Sequence, residues 1–326
     1  MKNQVQLEKL EGWLAIKPDD LASIRRLVTL LDLSGPPGKP LGAFGTAQAK
    51  IGASLPVDWQ SLYLNTGKNA AAYVQWLSIL KSARIGQAVP IGQVFSGQVM
   101  TINGQPTYCG EKLKFFKETS VIPGLCYDCY KVQILPENLE AMFQTYFLLL
   151  ALDLPGDNAR KCMIELRDGI KFPYKAYIYC ESLPEAKTCL AAFQQNLAEA
   201  GITGVHSTIS HGCSEYGMEY PEFKYTEGED QSALTPTAEW QEVEQTYFDR
   251  LKLPPPQTQS NTKPRISLRD VFAFRTWAKY AQLIGDDTCG TYQAAKGPAL
   301  PPAFVKRVKA QAALRHQEMT ELATRS

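Results

Sequence analysis

A chain of 326 residues with a formal net charge of +1 and 21% charged residues carries no overall field that would draw it to nucleic acid or a membrane, so any electrostatic recognition has to be local. The length predicts two domains, or one large domain with a helical extension, each able to bury a core without disulfide staples. Eight cysteines lie scattered without a compact spacing, and the start MKNQVQLEKLEGW has no apolar signal-peptide core, which makes the cytosol the expected compartment and reduced thiols the expected state. The most apolar stretch, MFQTYFLLLALDL, is too short and too interrupted by Gln144, Thr145 and Asp153 to span a bilayer.

Residues 1–90 read as a helical domain. In DDLASIRRLVTLLDLSG, Leu21, Ile24, Leu27, Leu30 and Leu31 fall on one stripe, with Asp19 or Asp20 as N-cap and Gly35 as stop. From residue 13 to residue 56 the chain resembles a tetratricopeptide repeat: Pro18 closes one unit, and Ile24, Leu27, Leu31, Phe44 and Ala47 stand near the positions where that family packs its helices. Pro56 recurs 38 residues after Pro18, against a family period of about 34. The resemblance implies a groove for a peptide or protein partner. An ordinary helical bundle is the alternative.

Residues 91–125 are expected to form a connector, with Asn103-Gly104 as a hairpin turn and Pro106 restricting the second strand to an edge. Residues 126–213 are the most readable. CYKVQI is strand-like, PENLEAMFQTYFLLLAL helical, KCMIELR and YKAYIYC strand-like, SLPEAKTCLAAFQQNLAEAG a helix capped by Ser182 with Pro184 in its first turn, and GVHSTISHGC a last strand. The order βαββαβ is that of a ferredoxin-like domain, an antiparallel sheet with both helices on one face, so the expected fold class is α+β. Residues 214–252 are acidic, residues 253–264 have the Pro-rich and polar composition of a linker, and residues 265–326 form C-terminal helices, the first capped by Ser267. The last helix is basic at Lys306, Arg307 and Lys309, which suits docking on the acidic neighbour or on an outside partner.

A ferredoxin-like sheet orders its strands 4-1-3-2, so the end of the last strand meets the beginning of the first. Cys126 and Cys129 stand where the first begins, and His211 and Cys213 where the last ends; these residues should therefore converge at one sheet edge. Cys109 could fold back to join them. Such a set suits tetrahedral zinc, or an iron–sulfur cluster at a dry site. Inert packing of the thiols is the rival, and redox chemistry is less favoured because a strand, not a helix N-terminus, follows the Cys-x-x-Cys. Cys162, Cys180 and Cys189 fall on apolar faces and read as small buried hydrophobes, whereas Cys289 lies in a loop.

Strand alternation collects Lys131, Gln133, Glu165, Arg167, Lys175, Tyr177, Tyr179, His206, Thr208 and Ser210 on the face away from the helices. A wet antiparallel face explains polarity alone; tyrosines beside cations also suit an anionic planar ligand, with Lys131, Arg167, Lys175, Tyr177, Tyr179 and His206 as its contacts. YKAYIYC loosely resembles the third-strand motif of RNA-recognition domains but lacks its Gly and Phe residues, so RNA is a minor alternative. Catalysis on this face would use His206 and Glu165 as acid and base and Arg167 for charge stabilisation. The sequence thus supports two functions: a cytosolic binding or adaptor protein with a Cys-rich structural metal site, or an enzyme acting on a phosphorylated or nucleotide-like substrate held by the polar sheet face.

Overall fold

The computed structural model describes residues 2–34, 42–85, 99–102, 109–156, 158–225, 234–251, 266–293 and 300–325. The fold is mixed helix and sheet. Its N-terminal part is helical: α1 (Lys2–Ile16), α2 (Leu21–Ser34), α3 (Gly42–Ala53), the single turn α4 (Ser61–Leu64) and α5 (Thr66–Ser82). Asp20 caps α2 by accepting from the Ala22 and Ser23 amides, and the stripe Ile24, Leu27, Val28 and Leu31 is buried. Gly35 lies outside the described residues, as do the Asn103-Gly104 turn, Pro106 and the linker at 253–264.

Five strands form one sheet: β1 (Val99–Ile102), β2 (Tyr130–Pro136), β3 (Arg160–Ile164), β4 (Tyr174–Cys180) and β5 (Val205–His211), in the order β1-β3-β4-β2-β5 with every pairing antiparallel. The last four have the order expected from βαββαβ. The added strand β1 comes from the stretch read as a connector and pairs with β3 at the sheet's outer edge. After it the chain enters α6 (Cys109–Thr119), a helix the sequence reading did not include.

Two helices cover one face of the sheet. Asn138 caps α7 (Leu139–Ala151) and Ser182 caps α8 (Leu183–Glu199), each side chain accepting an amide of the first turn. Against them lie Val132, Ile134, Cys162, Ile164, Ala176, Ile178 and Cys180, all buried, as alternation requires. Cys189 on α8 is fully buried as well, so these three cysteines pack as small hydrophobes.

The N-terminal helices pack on the far side of α7, and α11 (Leu268–Ile284) lies between them. Ser267 and Asp270 form a reciprocal capping box at its start, and Gly285 in the left-handed conformation ends it. Its rings lock the layers together: Phe274 stacks on Trp76 of α5 at 5.7 Å and on Phe143 of α7 at 4.7 Å. Each such pair adds roughly 0.5–1.5 kcal/mol beyond area burial. One apolar cluster therefore runs from Leu7 through the sheet to Met319.

The acidic stretch after β5 contains α9 (Ser214–Glu219) and α10 (Ala238–Asp249). The last helix, α12 (Pro302–Ala323), docks on the β3–β4 loop not by its basic start, whose Lys306, Arg307 and Lys309 are exposed, but by Arg315. That guanidinium donates to the Ile170 and Arg167 carbonyls and to Glu318, whose carboxylate also accepts from the Phe172 amide.

Candidate functional site

The β2–β5 register pairs Tyr130 with His211, and the Gly212 amide donates to the Cys129 carbonyl at 2.7 Å. Residues some 80 positions apart thus meet at one edge, as the strand order requires. Cys126 closes a short 3-10 turn (Gly124–Cys126) ahead of β2, so strand parity does not govern it; it is buried, its sulfur 3.4 Å from the Tyr216 hydroxyl. Cys129, Cys213 and Cys109, the first residue of α6, are half-buried. All four are close enough that a thiolate at Cys213 would raise the pKa of each of the other three.

Burial is the main influence on these thiols, and it pushes Cys109 up to about 11 and Cys126 up to about 12. His211 sits with both ring nitrogens at 2.7 Å from carbonyl oxygens, those of Phe223 and Tyr127, and stacks on Phe223. A metal ion at His211 would have to displace one of those contacts. Among the described residues, no three His, Cys, Asp or Glu side chains stand ready to hold a metal ion. Burial should therefore make Cys109 and Cys126 react with a disulfide reagent at pH 8 at least about tenfold more slowly than a thiol of ordinary pKa, the loss of thiolate being partly offset by the greater nucleophilicity of the thiolate that remains. Cysteine-resolved mass spectrometry of the quenched native protein would test this; labelling of Cys126 as fast as a free thiol would contradict it.

Gly212 has a left-handed backbone (φ +57°), and a Cβ there would run into the Phe223 ring that holds His211. Gly212→Ala should therefore destabilise the protein by about 1–3 kcal/mol through backbone strain and overpacking, read from the denaturation midpoint.

Behind the thiols lies the polar face of the sheet. Lys131, Lys175 and Tyr177 form its floor, 7%, 2% and 4% exposed, while Tyr179, Lys161, Arg167 and Ser210 are half-buried around them. The register sets Lys161 opposite Tyr177, and Lys131 opposite both Tyr179 and Ser210. The Lys131 ammonium lies 5.1 Å from the Tyr177 ring centre.

The carboxylates are committed elsewhere. Glu165, fully buried, accepts from the Arg167 amide, Nε and Nη2 at 2.9, 2.9 and 2.7 Å and from Lys175 Nζ at 3.3 Å. Burial alone would raise its pKa, but the Arg167 and Lys175 contacts hold it down at about 2. Arg167 Nη1 also binds Glu215 of α9 at 2.6 Å. Lys175 is pulled down to about 8 by burial, with Glu165 opposing. Burial lowers Lys161 too, and the neighbouring charges of Arg167 and Lys131 add to it.

Of the residues expected to bind a ligand, Lys131, Arg167, Lys175, Tyr177 and Tyr179 are brought together. His206 is not: it pairs with Leu135 at the other end of β5 and contacts Glu137 at 3.0 Å. Three strand spacings, about 14 Å, separate β5 from β3, so His206 does not join Glu165 and Arg167 in one acid–base group. Glu165 itself is enclosed by cations.

Two members were missed in sequence. Lys161 shares the parity of Met163 and Glu165, and that alternation would have found it. Glu215 lies in an acidic run where nothing marks one carboxylate over another. The residues define an α+β protein with a cationic, tyrosine-bearing sheet face bordered by four thiols. No family model, curated protein or solved structure matches the chain.

Proposed function

We propose that the protein binds a small organic anion on the polar face of a ferredoxin-like sheet. Of the two readings of the sequence, partner binding by the helices and ligand binding by the sheet, the second is supported by a specific observation. The Lys131 side chain is packed to 7% exposure with no carboxylate within ion-pair distance among the described residues. Its stem is packed into the sheet face while its ammonium keeps solvent contact without an ion pair, so an anion can reach it and supply the missing counter-charge. Ser210, the cross-strand neighbour of Lys131, supports the same reading: its hydroxyl oxygen is buried without a hydrogen-bond partner.

The expected test result is a rise in melting temperature with millimolar phosphate, pyrophosphate or citrate. A ligand at a hundred times its Kd stabilises by about 2.7 kcal/mol. Lys131→Met should abolish that rise while leaving the basal melting temperature nearly unchanged, since methionine keeps the packed apolar stem and removes only the ammonium. A lysine with a purely structural role would behave oppositely: the variant would melt lower and keep its response to anions.

The thiol edge supports a second reading, a site for a thiophilic cation such as zinc, because Cys213 lies near three other thiols. Metal analysis of protein purified without a polyhistidine tag tests it. About one zinc per chain, lost in Cys213→Ser, is the supporting result; metal-free protein with unchanged melting of Cys213→Ser would end it.

A further inference from the structure

Building on the anion-binding reading, we infer that the ligand of this face is a phosphomonoester dianion attached to a flat ring, a nucleoside monophosphate being the simplest example. The charge balance points to two negative charges. Four cations, Lys131, Lys161, Arg167 and Lys175, meet two carboxylates, Glu165 and Glu215. Both carboxylates are bound to Arg167, and Glu165 also holds Lys175. Lys131 and Lys161 are left with no ion pair among the described residues, and they flank one side chain. Lys161 stands directly across from Tyr177, and Lys131 reaches over its ring from the opposite strand.

A monoanion would neutralise one of these lysines and leave the other unpaired in a partly desolvated place. A dianionic phosphate engages both at once and adds a third partner, since the orphaned Ser210 hydroxyl can donate to one of its oxygens. A terminal phosphate presents three free oxygens to such a cluster; a diester presents two and carries a single charge.

The flat part of the ligand follows from the tyrosines. Tyr177 and Tyr179 lie side by side on β4, ring centres 6.2 Å apart and inclined by 41°. Tyr177 is covered, but Tyr179 is half-buried and stands at the thiol edge, opposite Lys131. A base laid on the exposed part of Tyr179 leaves its phosphate within reach of the lysines.

Calorimetric titration with four probes tests this: 5′-AMP, 3′,5′-cyclic AMP, ribose 5-phosphate and inorganic phosphate. The expected order places 5′-AMP at least about tenfold tighter than cyclic AMP, which keeps the base but loses a charge, and tighter than ribose 5-phosphate, which keeps the dianion but loses the base. Lys161→Met, at a half-exposed position, should bring 5′-AMP and cyclic AMP to similar affinities, and Ser210→Ala should weaken 5′-AMP severalfold. Equal binding of 5′-AMP and cyclic AMP by the unaltered protein overturns the dianion inference while leaving the anion site standing. Equal binding of 5′-AMP and ribose 5-phosphate removes the ring. No heat and no thermal shift with any probe, inorganic phosphate included, removes the anion site itself.

Discussion

Asp286→Ala should destabilise the protein by about 3–5 kcal/mol, since it leaves several buried donors unsatisfied at about 1–3 kcal/mol each. The carboxylate is 3% exposed and accepts four hydrogen bonds from three parts of the chain. One oxygen takes the Leu139 amide at the start of α7, at 2.8 Å, and the Tyr174 hydroxyl of β4, at 2.6 Å; the other takes the Thr288 amide and hydroxyl. The negative charge also sits at the positive end of α7, where it is favoured. Alanine strands a buried tyrosine hydroxyl and a helix amide at once. Asp286→Asn has the same size but one acceptor oxygen instead of two, so it should fall between. Urea denaturation of the three proteins measures the difference. A loss below about 1 kcal/mol for alanine would mean that water replaces the carboxylate without penalty and that Asp286 does not tie the helix layer to the sheet.

Glu165→Gln should be comparably damaging, again about 3–5 kcal/mol, because it leaves the Lys175 ammonium and part of the Arg167 guanidinium without their anion in the sheet floor. The double variant Glu165→Leu with Lys175→Met should recover most of that loss, since replacing both members of a buried pair by apolar groups removes the uncompensated charge. Failure of the double variant to recover would show that Glu165 acts through backbone geometry at the Arg167 amide and not through charge. The same carboxylate sets an acid limb. Its pKa is depressed from the ordinary 4.5 to about 2, so its stabilisation is present above pH 4.5 and is lost as the pH falls towards 2. The stability of Glu165→Gln should be flatter than that of the unaltered protein over that window.

Much of the frame was legible because it rests on local chemistry. The caps at Asp20, Ser182 and Ser267 mark helix starts with side chains that accept first-turn amides, and each helix begins there. Alternation in YKAYIYC separated Ala176 and Ile178 from Lys175, Tyr177 and Tyr179, and the structure puts the first pair under the helices and the other three on the polar face. The helix from Cys109 was not legible because CGEKLKFFKET carries only Leu113, Phe115 and Phe116 as an apolar face, too brief a pattern to declare a period. Strand β1 was legible only as the first arm of a hairpin at Asn103-Gly104, whose turn and second arm lie outside the described residues; its pairing with β3 was not, because a four-residue run does not say which distant strand it will join.

The sequence by itself determined which residues would be helix and strand in the central region, which face of each strand would be polar, and that the thiols at 126, 129 and 213 would meet. These follow from side-chain periodicity and from the antiparallel neighbourhood of the first and last strands, which act over short distances or through a single topological rule. Only the tertiary structure decided the charge accounting of the polar face. Whether a lysine has a counter-ion depends on which carboxylate a distant element delivers: Glu215 arrives from α9 to pair directly with Arg167 and acts on Lys131 only through space, and Glu165 is held by Arg167 and Lys175. His206 shares the parity of the site yet stands three strands from Glu165, because alternation fixes the face of a residue and says nothing of its distance across the sheet.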